Sequence, residues 1–433
     1  MVFGILIIRI RDGQAVFNLR RYILPILRHH ARVWGRMTNL FSNCSQNMSD
    51  FACLQEWVKK FLPTSYVPQN NSHFQKSISK KTSRDISSWE LSLTPLNGDA
   101  GFRQYFRLNT EPSLLAVLAP PVHENIPAFI NTSLCFQKND VRTPLIYAVD
   151  YKSGFLLLED FGDDLLLPQL SSVTVDELYQ AAEAELLKIQ QIKPNTEIFP
   201  HYDGQRLLDE MNLFPEWFVG QLLGLELQDS DRQILSETFS LLVDNAHEQP
   251  HVMVHRDFHA RNLMLLEHND ISTNACGANN TIVTDNKTEV ASPIGVIDFQ
   301  DAVVGPFTYD MVSLLRDCYI RWPEDYVVQR ALDYSRQAEA LGIIPKVSDK
   351  QITRWFDLMG LQRHIKVLGI FSRLWLRDGK QGYLNDLPLV IRYTLEQLEP
   401  YSDLKKFKGW LERRVIPQLP QQSWYKPWEE AGD

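Results

Sequence analysis

Two short stretches of this sequence hold residues whose types and spacing suit the transfer of a phosphoryl group to a hydroxyl. The first is Val254-His255-Arg256-Asp257-Phe258-His259-Ala260-Arg261-Asn262, which runs into the apolar Leu263 to Leu266. The second is Ile294-Gly-Val-Ile-Asp298-Phe-Gln-Asp301. Such a transfer needs a carboxylate beside the attacking oxygen, to hold it in line and accept its proton, and Asp257 suits that task. It also needs a neutral oxygen ligand and a second carboxylate to hold Mg2+ against the phosphates of ATP, a pairing that Asn262 and Asp298 can supply. The protein's part is then to position groups and neutralise developing charge. An H-x-D-x-x-x-x-N spacing sets these groups at a strand end, in a loop and at the start of a short strand, the arrangement kinases use. Three such residues alone recur by chance; the two motifs in order, each joined to an apolar run, are far more specific. The competing reading is that Asp257 and Asp298 merely cap turns.

The elements that must position these groups are legible from hydrophobic periodicity. Trp89 to Leu96, Tyr105 to Leu108 and Leu114 to Leu118 read as strands. Leu145 to Val149 and Phe155 to Glu159 read as a hairpin across Asp150-Tyr-Lys-Ser-Gly154. Three- and four-residue spacing predicts helices over 51–62, 175–192, 204–223, 231–247, 309–321, 325–341, 350–376, 385–398 and 402–413. Strands followed by helices predict an α+β, bilobal, protein-kinase-like fold: a lobe over 48–160 and a helical lobe over 161–433. Polar stretches at 68–88 and 270–293 read as surface insertions. Residues 1–47 read as an extension. Its Arg-rich, acid-poor course to Arg36 suits a targeting or interfacial segment, while Met48-Ser-Asp-Phe looks like a natural start.

Charge and cysteine usage narrow the class. With 44 basic against 53 acidic residues the chain carries a net charge of -9, which argues against coating nucleic acid. The N-terminal apolar run is broken by Arg9, Arg11 and Asp12, well short of the roughly 20 residues a spanning helix needs, so no stable membrane insertion is expected. Five scattered cysteines without a C-x-x-C pair favour free thiols in a reducing cytoplasm over a metal site or a disulfide framework. Oligomeric state is not legible.

From about Phe51 onward, outside the polar insertions, the sequence resembles the aminoglycoside-phosphotransferase branch of the kinase-like fold. More narrowly, it is similar to bacterial anomeric kinases of N-acetylmuramate and N-acetylglucosamine in cell-wall recycling. The resemblance rests on Gly98-Asp-Ala-Gly-Phe-Arg-Gln-Tyr-Phe-Arg107, Leu158-Glu-Asp-Phe-Gly-Asp163, Leu213-Phe-Pro-Glu-Trp-Phe218, His255 to Asn262, Gly305 to Cys318 and Leu361 to Phe371. It implies ATP with Mg2+ and an amino-sugar acceptor; an antibiotic, choline or homoserine acceptor, or a nucleotide-binding protein without catalysis, are the alternatives. Gly98 and Gly101 would let backbone approach the phosphates. The strand Leu114 to Leu118 lacks the phosphate-holding Lys of protein kinases, which leaves Arg103 as the candidate clamp. Glu159 lies where the hinge would meet the adenine. Asp310 is either a tie for the catalytic loop or a plain helix N-terminal carboxylate. On the acceptor side stand Glu216, Arg316, Asp317 and Arg363; an Arg there would suit a muramate carboxylate, and an internal Arg–Asp ion pair is the alternative.

Overall fold

Among the strand runs of the first half Gln104–Leu108 alternates, whereas Leu114–Leu118 and residues 155–158 are apolar without a break, which demands that they lie centrally in a sheet buried on both faces. The structure, a computed structural model, describes residues 6–7, 50–62, 67–68, 90–96, 102–266 and 294–432. The chain divides into two compact units: Met1–Ile130, Thr143–Asp164 and Leu265–Gly295 in one, Asn131–Arg142, Leu165–Met264 and Val296–Asp433 in the other.

In the first unit, β1 (Leu6–Ile7), β3 (Leu93–Pro95), β4 (Gln104–Leu108), β6 (Leu114–Leu118), β7 (Ile146–Asp150) and β8 (Phe155–Glu159) form an antiparallel sheet in the order β1-β7-β8-β6-β4-β3. The short β2 (Val67–Pro68) and β5 (Thr110–Glu111) pair beside it. One face carries Phe106, Leu108, Leu114, Ala116, Phe155 and Leu157, and it buries Leu54, Trp57 and Val58 of α1 (Asp50–Phe61). Trp57 meets Phe155 at 5.8 Å between ring centroids. Asp50 in the first turn of α1 and Lys59 and Lys60 in its last suit the helix dipole. The opposite face of the sheet presents Tyr105, Val117, Leu156 and Leu158, which line a small recess with Ile126 and Phe129. Between β7 and β8 the turn is tied by Asp150 Oδ1, which accepts from Lys152 and Ser153 N–H. Gly154 closes it at φ +75, where a Cβ would lie 2.2 Å from the Ala119 carbonyl oxygen.

The second unit is built on helices. The 30-residue α8 (Asp349–Asp378) is buried almost continuously from Trp355 to Leu368 and so belongs at the centre of its unit. Ser348 caps its start, accepting from Gln351 N–H, and Gly379 ends it in the left-handed conformation at φ +70. Around it lie α3 (Val175–Gln191), α4 (Gly204–Met211), α5 (Asp229–Glu248), α6 (Tyr309–Leu315), α7 (Glu324–Ala340), α9 (Leu387–Leu398) and α10 (Lys405–Trp410). Antiparallel β9 (His251–Val254) and β12 (Val303–Pro306) pair with Val254 opposite Val303. The short β10 (Leu263–Leu265) and β11 (Ile294–Val296) pair with each other.

Several expectations are revised. α2 (Ile126–Lys138) arises where Asn, Thr and Ser masked helical periodicity. The helix expected over 204–223 breaks after Met211 and resumes as a π-helix over Phe214–Leu222, with Pro215 at its start. The helix expected over 309–321 stops at Leu315. Cys135 and Cys318 are free thiols, but Cys53 is disulfide-bonded, contrary to the expectation of free thiols throughout. Spacing along the chain does not report spatial approach, and proximity is what decides pairing. The polar stretch 270–293, residues 69–88 and most of 1–47 lie outside the described residues.

Helix α8 and the π-helix touch backbone to side-chain position at Gly369. A Cβ there would lie 2.4 Å from Leu213 C and 2.6 Å from Phe214 N. Gly369→Ala should therefore destabilise by about 1–2 kcal/mol despite alanine's better helix propensity, because overpacking against backbone outweighs that gain. Urea denaturation reads this as a lower midpoint; a midpoint at or above that of the parent would mean the π-helix yields freely.

Candidate active site

The loop after β9 is fixed before it reaches its functional residues. Asp310, fully buried at the start of α6, accepts from His255 N–H at 2.6 Å and Arg256 N–H at 2.9 Å. This is the loop tie anticipated for Asp310. Arg256 sits at φ +79 and Asp298 at φ +63, backbone conformations uncommon for residues with side chains and often kept at functional sites. Burial pushes the Asp310 carboxyl up to about 7, although the two backbone N–H groups oppose the rise. His255 is fully buried, and burial lowers its imidazole to about 4, so the ring is neutral near pH 7. Its Nε2 lies 3.1 Å from the Ile297 carbonyl, and its Nδ1 accepts from Asp257 N–H. Those contacts make His255 a packing and hydrogen-bonding residue, not a base.

The structure brings Asp257, Asn262 and Asp298 together. Asn262 Nδ2 donates to the Asp257 carbonyl at 3.0 Å and lies 3.5 Å from Asp298 Oδ2. Ile297 N–H donates to the Asn262 carbonyl at 3.1 Å, which aligns the two motifs side by side. With its amide nitrogen so committed, Asn262 keeps its amide oxygen as a ligand. Gln300 Nε2 donates to Asp298 Oδ1 at 2.7 Å and orients that carboxylate. A neutral oxygen beside an exposed carboxylate fits Mg2+, which takes one or two protein oxygens and completes its shell with phosphate and water. Among the described residues no group of three or more His, Cys, Asp or Glu forms a metal site by itself.

Charge around Asp257 is dense. Burial alone would raise its carboxyl, but Lys366, His259, Arg256 and Arg363 outweigh that and hold it down to about 2. Asp257 is thus ionised at any working pH. Two of these cations share one carboxylate: Glu210 pairs with Arg256 at 2.5 Å and with Lys366 at 3.1 Å. Tyr202 donates to Glu210, and Lys366 also donates to Tyr309 Oη at 2.9 Å. Sequence reading missed Lys366, Glu210 and Tyr202. The available signal was Lys366 itself, a cation three residues from Arg363 in the mostly apolar middle of α8.

The remaining predicted residues divide by placement. Arg316 is 1% exposed and bound to Asp357 at 2.8 Å and to Glu324, with its guanidinium 4.5 Å from the Phe356 ring centre. It is an internal ion-pair residue, although its partners are not the neighbouring Asp317. Asp317 and Arg363 are both buried. Glu216 is exposed on the π-helix. Arg103 forms an ion pair with Glu124 at 2.7 Å and lies over the Phe129 ring. Glu159 Oε2 accepts from Leu145 N–H at 3.0 Å. Next to it, Arg107 grips both Asp160 and Asp163 and so fixes this stretch. Gly98 and Gly101 lie outside the described residues.

The family described as "Phosphotransferase enzyme family" (APH) matches residues 92–273 and 276–343. An N-acetylmuramate/N-acetylglucosamine kinase of Pseudomonas putida is 39% identical over 306 residues, covering 70% of this chain and 83% of that protein. One of the same name from Neisseria meningitidis serogroup B is 35% identical over 322 residues, covering 73% and 88%. A solved choline kinase of Cryptosporidium parvum superposes with a TM-score of 0.51 at 11% identity, covering 84% of this chain and all of that one, a likeness of fold alone. With more than half its length matched by the family and such identity to two curated kinases, the chain belongs to the APH phosphotransferase enzyme family.

Proposed function

We propose that the protein transfers the γ-phosphoryl group of ATP to the anomeric hydroxyl of N-acetylmuramate and N-acetylglucosamine, in the cytoplasmic recycling of cell-wall amino sugars. The observation that carries the reading is the clustering of Asp257, Asn262 and Asp298 on a loop tied by Asp310. The acceptor is supported by the names of the relatives. Asp257 orients the acceptor hydroxyl. As that oxygen bonds to the γ-phosphorus and the bond from phosphorus to the β,γ-bridging oxygen breaks, Asp257 receives the hydroxyl proton. ADP and the sugar 1-phosphate result. A carboxylate held to about 2 is a weak base, so its main work is alignment, and the proton moves late, once the new P–O bond has acidified the hydroxyl. Asn262 and Asp298 would hold magnesium, which supplies charge neutralisation for the phosphates. We assign the phosphate-clamping charge to Arg103. Gln104 pairs with Leu118 in the β4–β6 register, which sets Arg103 opposite Ala119, across from the strand that lacks a Lys. Glu124 fixes its guanidinium.

Purified protein with ATP, magnesium and a panel of N-acetylmuramate, N-acetylglucosamine, kanamycin and choline should give phosphate on the anomeric oxygen of the two amino sugars alone, read by product mass and phosphorus NMR. Transfer to kanamycin or choline instead would replace the acceptor assignment. Asp257→Asn should lower kcat by about 10²–10⁴-fold while ATP affinity stays within a few-fold; equal loss of both would deny Asp257 its place at the acceptor. Asp310 also predicts a pH signature. Its folded-state carboxyl is raised to about 7 from the usual ~3.9, so its proton-linked contribution is fully present below the lower value and lost as pH rises through the higher one. The melting-temperature advantage of the parent over Asp310→Asn should therefore shrink between about pH 5 and about pH 8. A constant difference would place the Asp310 titration elsewhere.

A further inference from the structure

Most buried cations of the second unit are neutralised inside the protein. Arg256 and Lys366 share Glu210, and Arg316 has Asp357 and Glu324. Arg363 differs. It is 4% exposed, and its Nε and Nη1 are buried with no hydrogen-bond partner among the described residues. Asp317 is its counterpart: fully buried, with Oδ2 unpartnered among the described residues and Oδ1 meeting only the Cys318 thiol at 3.6 Å. The two lie within electrostatic reach of each other, and Arg363 also lies within reach of Asp257. Yet they do not close into an ion pair. A guanidinium and a carboxylate kept apart, both short of partners and both out of water, are costly unless a third group joins them. Their supports are firm: Arg363 projects from the middle of α8, and Asp317 follows α6 directly. Beside them Tyr319 meets His259 of the catalytic loop at 5.7 Å and Phe371 at 6.5 Å, with the Arg261 guanidinium 3.5 Å over the Tyr319 ring.

We propose that Arg363 and Asp317 form the acceptor subsite that reads the 2-acetamido group, with Arg363 donating to its carbonyl oxygen and Asp317 accepting from its N–H. The inference rests on the amino-sugar reading above. An amide presents one acceptor and one donor, matching one cation and one anion, whereas a lactyl carboxylate would be repelled by Asp317. The acetamido group is also the substituent that N-acetylmuramate and N-acetylglucosamine share. It stands on the carbon next to the anomeric centre, so whatever reads it must lie close to Asp257, as Arg363 does. Glucose has a hydroxyl in that place, whose single oxygen would have to serve both charges at once where an amide offers a separate acceptor and donor, so at least one of the two bonds is weakened and the analogue is disfavoured. Arg363 and Asp317 act on specificity; the transfer itself stays with Asp257.

The test compares kcat/KM for N-acetylglucosamine and glucose in the parent, Arg363→Met and Asp317→Asn, together with melting temperatures. In both variants the preference for N-acetylglucosamine over glucose should fall roughly 10–100-fold, mainly through KM, the scale of a lost charged hydrogen bond. The Arg363→Met/Asp317→Asn double variant, which removes both charges at once, should melt at or above the parent temperature, because a separated buried pair retained for binding is a burden on the free protein. Variants that lose both sugars equally, or a double variant that melts well below the parent, would overturn the subsite and make the pair structural. A parent enzyme that phosphorylates no amino sugar would instead sink the underlying function, a result visible before any variant is made.

Discussion

The Asp310 carboxylate is the contact on which the rest of the site depends. Its two oxygens take the N–H groups of His255 and Arg256, and so hold Arg256 in a left-handed backbone conformation. Without such a hold that conformation would relax toward commoner regions, at a gain of about 1–3 kcal/mol. The turn it enforces delivers Asp257 to the open side of the loop while His255 stays underneath, neutral and bonded to Ile297. Because Ile297 also binds the Asn262 carbonyl through its N–H, one buried acid at the start of α6 sets the relative placement of both motifs. Asp310 touches no reacting atom in this scheme; its part is geometric.

Electrostatics follow from that geometry. A half-buried Asp257 would drift toward the neutral acid if burial acted alone. Lys366 from α8 and Arg256 from the loop counter the drift, and both are anchored by Glu210, so their positions are set before any ligand arrives. Glu210 in turn is stabilised by Tyr202 and is itself held low once Lys366 and Arg256 offset its burial. Fixed charges of this kind need no reorganisation during the reaction, which is how a preorganised site lowers a barrier.

How much of this was legible in the sequence depended on whether the signal was local. The strand runs at 104–108, 114–118 and 155–159 and the long helix around 349–378 were readable because burial leaves short apolar or alternating runs in strands and a period of 3.6 in helices. That Asp257 and Asn262 would lie together was readable because they are five residues apart in one loop, whereas Asp298, 36 residues beyond Asn262, was placed beside them only by the folded chain. Helix α2 was not, since Pro127, Asn131, Thr132 and Ser133 are weak helix formers and tertiary packing overrides them. The break between α4 and the π-helix was hidden because Leu213, Phe214 and Phe218 continue an apolar pattern across it. Partner choice was the least legible. Arg316 lies beside Asp317 in the chain but bonds Asp357 and Glu324, and Lys366 finds Glu210 far away in sequence. Which charges meet is decided by helix packing, which no spacing within one segment reports.

The same packing separates charges that hold the fold from charges that serve a ligand. Arg316 and Arg363 lie on neighbouring elements, are similarly buried and look alike in sequence, each an arginine within an apolar helix region. Arg316 is closed by two carboxylates and stacked on Phe356, so its desolvation is offset within the protein. Arg363 has no such closure, although Asp317 is near enough to feel its charge. If selection acted on stability alone, a small shift of either side chain would join them, since a lone buried charge is among the costlier features a core can carry. A chain that pairs Arg256, Lys366 and Arg316 each with a carboxylate has the means to pair Arg363 as well. That it leaves this one open, beside Asp257, is the physical reason to look for Arg363's missing partner in the substrate.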